Sequence, residues 1–155
     1  MNLQQILRKY NRGDRDFSDD SFRAISLPRT FLSGADFSHC DFTSADLSYT
    51  DLSRANLTAA VLTGAELISS DLSGAQLKGA HLIGANMTKA SLVGTCLANA
   101  DLRSANLIDA DLSGSNLKGA LLEGANLQGA RLVGACVDSH QLAQAIREDI
   151  PCKIS

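Results

Sequence analysis

Residues 45–59 read ADLSY-TDLSR-ANLTA, and residues 100–119 read ADLRS-ANLID-ADLSG-SNLKG. The period is five. Neither a helix, with its 3.6-residue turn, nor a flat strand, with its alternation of two, produces it. Extending the frame outward, every fifth residue from Phe17 to Val137 is a large apolar side chain. The column begins Phe17, Phe22, Leu27, Leu32, Phe37, Phe42. It continues Leu47, Leu52, Leu57, Leu62, Leu67, Leu72, Leu77, Leu82, Met87, Leu92, Leu97, Leu102, Leu107, Leu112, Leu117, Leu122, Leu127 and Leu132. A second column, two residues ahead, holds 16 Ala from Ala35 to Ala135, with Cys40, Thr50, Ser70, Thr95 and Ser115 as its other small members. The arrangement that satisfies both columns is an all-β solenoid of four five-residue sides, 20 residues per coil. The large residue and the small one point inward, and coils stack at the 4.7–4.9 Å spacing of neighbouring strands. About six coils then make a rod of roughly 30 Å. No coil buries its own core, so both ends need covers.

The stretches quoted above resemble the pentapeptide repeat family, whose consensus is A(D/N)LxX, over residues 15–138. The resemblance, of a cyanobacterial type, implies a right-handed quadrilateral β-helix. It also implies that Asp or Asn before the central residue bonds to its own turn. Eleven of the twelve glycines fall two after the central residue, where a corner with positive φ favours them. Residues 36–60 have no glycine there, which predicts a different turn. Ile25, Pro28, Thr30 and Phe31 break the pattern and predict a bulged or distorted coil between Phe22 and Leu32.

The ends read as helices. Asn2 with Gln5, and Asp138 with Gln141, form capping boxes. The first helix, within residues 1–14, carries the stripe Leu3, Ile6, Leu7, Tyr10 and stops at Gly13. The second, within residues 139–155, is expected to run to about Asp149, burying Leu142, Ala145 and Ile146 before Pro151. A covered C-terminal end predicts a monomer, since the resemblance implies pairing through that end in some members.

Composition excludes several functions. The net charge is -3: +3 over residues 1–13, -6 over 14–77, and balanced from Lys78 onward. No basic patch for nucleic acid follows from this. No apolar run reaches membrane-span length, and no secretory leader is visible, so a cytoplasmic protein is expected. Cys40, Cys96, Cys136 and Cys152 show no metal or disulfide spacing. Cys96 and Cys136 share a column two coils apart, about 9–10 Å, beyond disulfide reach. Cys40 reads as a core thiol. His39, His81 and His140 fall at separate places. Arg8, Lys9 and Arg12 give a basic helix face. No constellation for catalysis, cofactor or metal is present.

Two functions from different classes remain. One is a non-enzymatic structural or interaction scaffold for another protein. Its candidate partner surface comprises the outward residues Ile68, Ile83, Val93, Ile108 and Val133. The other comes from the resemblance, since some members imitate DNA and inhibit a type II topoisomerase such as gyrase. Asp36, Asp41, Asp46 and Asp51 ring one coil and could serve that role. DNA carries a charge per about 1.7 Å, so a rod of this length would need about 18.

Overall fold

Each amide of a five-residue unit has its own kind of partner, and this accounting explains the fold. The unit Ala35–His39 shows it. The Ala35 amide closes a turn on Leu32 O (3.2 Å), and the Asp36 amide donates to Arg15 O of the coil below (2.7 Å). Phe37 and His39 donate to Asn56 O and Thr58 O of the coil above (2.7 and 2.9 Å). The remaining amide, Ser38, donates to the carboxylate of Asp36 (2.9 Å). Nothing is left unpaired, as a buried backbone requires. Asp or Asn before the central residue is therefore the acceptor for the one amide without a backbone partner.

The computed structural model describes residues 1–146. Its parallel bridges link residues 20 apart, from Asp16↔Asp36 to Asn116↔Cys136. Each side contributes a single bridge rather than an extended strand, because a corner follows every five residues. We number the sides by their central residues in the lowest coil: first Phe17, second Phe22, third Leu27, fourth Leu32. The central column is buried from Phe17 through Leu132, including Leu72 and Leu102, and the Ala column lies buried beside it. In the two lowest coils aromatics fill the first and second sides. Phe17 stacks on Phe37 and Phe22 on Phe42, with centroids 5.2 and 5.0 Å apart. Edge contacts cross-link the two stacks.

Two expectations about corners are overturned. Residues 36–60 do not use a different turn: His39, Ser44, Tyr49, Arg54 and Ala59 all sit at φ between 55° and 60°. The ladder bond made by each corner amide imposes this geometry whatever the side chain. Nor is the Phe22–Leu32 coil distorted. Ser21, Ser26 and Phe31 hold regular bridges to Asp41, Asp46 and Asp51. Pro28 fits because it occupies the position whose amide the ladder never uses, the i+1 site of a turn with positive φ at i+2.

Helix α1 spans Leu3–Asn11, with the Asn2–Gln5 capping box formed and Gly13 at φ 93° just past its end. Its Ile6 is fully buried in the core cluster, with Leu3 and Tyr10 packed alongside. Tyr10 Oη donates to Ser33 O (2.7 Å), tying α1 to the fourth side. Helix α2 spans only Ser139–Gln144, again with its capping box formed. The expected continuation toward Asp149 does not occur within the described residues. Ala145 is extended and Ile146 returns to the ladder, donating to Ala125 O (2.7 Å) and bridging Asn126. Ladder bonds outcompete a further turn of a marginal short helix. Ile146 is consequently 52% exposed rather than buried, while Leu142 is buried as expected. Asp149, Pro151 and Cys152 lie outside the described residues.

Candidate functional site

With the interior filled, the chemistry of this chain is on its sides and corners. The ring of Asp36, Asp41, Asp46 and Asp51 is committed locally. Each accepts from the amide two residues on, at 2.9–3.0 Å. The Thr43 hydroxyl, then the Thr43 amide, hold the Asp41 carboxyl below its ordinary pKa, and Arg23 adds to the effect at 3.0 Å. Asp101 is lowered chiefly by its two-pronged contact with Arg103 (2.9 and 2.7 Å).

The cysteines stand apart. Cys40 is fully buried, its Sγ 2.9 Å from Phe17 O, and burial pushes its thiol pKa up to about 11. Cys96 and Cys136 are free thiols with Asn116 between them in the ladder. Cys136 lines a cleft of about 260 Å³ with Lys118, Val137, Asp138 and Gln141. Gln141 is buried, its Nε2 donating to Leu117 O and Ala120 O of the preceding coil (2.7 and 2.9 Å). A second hollow, about 280 Å³, runs along the basic face of α1 between Met1, Gln5, Arg8, Lys9 and Arg12. Among the described residues no three His, Cys, Asp or Glu side chains converge as a metal site would require, and no helix is long and apolar enough to cross a membrane.

The five residues of the expected partner surface do not form one patch. Ile68 and Ile108 follow the third side, Val93 and Val133 the fourth, and Ile83 the second. Only Val93, at 39%, counts as exposed, and the others are half-buried against neighbouring coils. Thr88 separates the first pair and Ser113 the second. Ser33, Ser53, Ser73 and Ser113, which share one outward column of the fourth side, do not form a continuous ladder. Ser53 Oγ bonds to Ser33 Oγ (3.1 Å), but Ser73 turns to Ser91 (2.8 Å) and the Ser113 hydroxyl has no partner.

The structure instead exposes two aromatics, Phe31, which the sequence marks only as a break in the pattern, and Tyr49, which it does not single out. Phe31 is 75% exposed and Tyr49 is 49% exposed. They belong to adjacent coils at the corner between the third and fourth sides, since Phe31 pairs with Asp51, two residues beyond Tyr49. The Arg29 guanidinium lies 4.4 Å over the Tyr49 ring. A signal for Phe31 was available. Of five phenylalanines in the chain, four fill the central column and this one does not.

The match to a family model agrees with the five-residue repeat. A family model described as pentapeptide repeats matches in eight copies, over residues 16–48, 40–79, 70–107 and 105–139. Among solved structures, the chain is similar to HetL, a pentapeptide repeat protein involved in heterocyst differentiation regulation from the cyanobacterium Nostoc sp. strain PCC 7120. The identity is 28%, with 94% of this chain and 92% of that one covered, at a TM-score of 0.47. A pentapeptide repeat protein from the Arabidopsis thaliana thylakoid lumen is 26% identical over 74% of this chain and 73% of its own, with a TM-score of 0.46. QnrB1, a plasmid-mediated fluoroquinolone resistance protein, is 20% identical over 84% and 76%, with a TM-score of 0.40. No curated protein matches the sequence.

Proposed function

This chain belongs to the pentapeptide repeat family, and we propose that it is a non-catalytic rod that presents outward side chains to a protein partner. The observation that carries the reading is the sealed interior. Leu and Ala columns leave no internal room for a ligand, so recognition falls to the outer sides. The outward acids support it, since most hold their own turns rather than meeting one another around a reactive centre. In this proposal the coil winds right-handed, α1 and α2 act as caps, residues 1–14, 15–138 and 139–155 are the working divisions, and the protein is a cytoplasmic monomer without a cofactor. The burial of Gln141 and Leu142 against the last coil supports the monomer reading, with Ile146 the large apolar side chain left exposed beside them among the described residues.

The DNA-mimic alternative fits the charge poorly. A 30 Å stretch of duplex presents about 18 charges, against a net -3 here. The four-aspartate ring encircles the rod, whereas phosphates would run along it. Two measurements separate the readings. Gyrase supercoiling should be unaltered by micromolar protein, and inhibition would favour mimicry. Affinity capture from the native host, followed by reconstitution with the purified candidate, should yield a stoichiometric complex. Failure to reconstitute any such complex would overturn the scaffold reading.

A further inference from the structure

The corner that carries Phe31 and Tyr49 is built against local convenience. In its column Asp51, Asp71 and Asp111 each accept from the amide two residues on, at 2.9–3.0 Å. Phe31 stands at the same register and offers no acceptor. It gives up that bond and leaves three quarters of a phenyl side chain in water. Tyr49 and Arg29 occupy corner positions at φ 59° and 58°, where glycine would sit without strain. Neither the ladder nor the core explains these three side chains.

Their surroundings define a partner. On the third side the column beside Tyr49 carries Asp46 and Glu66. On the fourth side the column above Phe31 carries Asp51 and Asp71. Arg29, the guanidinium at this corner, is occupied by the Tyr49 ring, and none of the four carboxylates is in an ion pair among the described residues. The acids are held in place. Asp46, Asp51 and Asp71 are bonded to turn amides, and Glu66 accepts from Asn86 Nδ2 (3.0 Å). Half-buried Ile68, whose carbonyl accepts from the Tyr49 amide (2.8 Å), continues the apolar strip upward. Exposed Phe, Tyr and Arg inside a rim of fixed negative charge have the make-up of an interface anchor.

We propose that the Phe31–Tyr49 corner is the docking site for a protein segment that offers an aliphatic or aromatic side chain flanked by Lys or Arg. The proposal rests on the scaffold reading and narrows it to one corner and one partner chemistry. The apolar side chain would lie against the phenyl and phenol rings, and its basic neighbours would meet Asp46, Glu66, Asp51 and Asp71. Positive flanks favour approach to such a rim and make the association sensitive to salt.

The probe is a random dodecapeptide library displayed on phage and selected on the immobilised full chain, with enriched peptides measured by fluorescence anisotropy. Enriched peptides should combine an apolar residue with flanking Lys or Arg, and raising the salt should weaken them. Phe31→Asp restores the acceptor found at Asp51, Asp71 and Asp111 of this register, so it should fold at least as well as the parent while losing affinity by about tenfold or more. Leu121→Asp, on the second side, should bind like the parent. Absence of enrichment, enrichment of peptides without basic residues, or equal binding by Phe31→Asp would each overturn the proposal. If peptides bind but ignore Phe31, this corner is excluded while the scaffold reading stands. Failure of reconstitution with the native partner would remove the scaffold reading itself.

Discussion

Adjacent alanines at 59 and 60 should respond to glycine with opposite signs. Ala59 is at a corner with φ 55°, and Ala60 is fully buried in the small-residue column. A left-handed conformation costs an L-residue roughly 1–2 kcal/mol, which Ala59→Gly relieves. The greater freedom of glycine in the unfolded chain takes back about 0.4–1 kcal/mol. The net is a stabilisation of about 0.5 kcal/mol. Ala60→Gly relieves nothing. It removes a buried methyl worth about 0.8 kcal/mol and carries the same entropic loss of about 0.4–1 kcal/mol, so it should destabilise by about 1.5 kcal/mol. The two variants should therefore differ by about 2 kcal/mol, or about 4–8 °C in melting temperature for a chain of this size. Urea unfolding and thermal melts followed by far-UV circular dichroism measure both. Equal destabilisation at the two positions would refute the reasoning, because it would mean that the corner does not hold Ala59 left-handed.

Three further outcomes follow from the same geometry. Leu92→Ala, at a fully buried mid-rod position, should cost about 2–5 kcal/mol, while Lys89→Ala at the preceding corner should stay within about 0.5 kcal/mol; similar values would mean the inward register is wrong. Iodoacetamide near neutral pH should alkylate exposed Cys136 in the native protein and spare Cys40, whose thiol pKa is pushed up to about 11; peptide mass spectrometry after labelling reads this, and early modification of Cys40 would contradict its burial. The depressed pKa of Asp41 contributes stability that is fully present above the ordinary carboxylate range near 4 and lost as pH falls through the folded value. Thr43→Val removes the largest cause, so acidification from pH 5.5 to about 3 should destabilise the variant less than the parent, and an unchanged pH dependence would show that the Thr43 hydroxyl does not set the Asp41 proton affinity.

The ladder explains which expectations failed. Pro28 and the glycine-poor corners from His39 to Ala59 looked like interruptions because local propensity was read in isolation. In the coil three of the five amides of each unit, the corner amide among them, have a partner 19 or 21 residues away, so the corner keeps its shape and the side chain accommodates. Pro28 was acceptable because its position never donates to the ladder. The second helix was read too long for a related reason. Its helical pattern continues past Gln144, but the exposed edge of the preceding coil offered Ile146 a ladder partner. The outward apolar residues were chosen by type, and the structure spreads them over three sides rather than one patch. Half-burial between coils removes Ile68, Ile83, Ile108 and Val133 from full exposure, whereas the aromatics at 31 and 49 project beyond the coil surface.

The amino-acid order alone determined a coil of five-residue sides and its inward columns, because a repeat of one large and one small apolar residue every five positions fits neither a helix nor a flat strand, and the bridges between residues 20 apart fix the number of sides at four. It also determined both helix starts, since a capping box is a contact between residues three apart. The identity of the corner conformation, the end of the second helix and the grouping of Phe31, Arg29 and Tyr49 were decided only by stacking. Each depends on what the neighbouring coil, some 20 residues away, places against the chain.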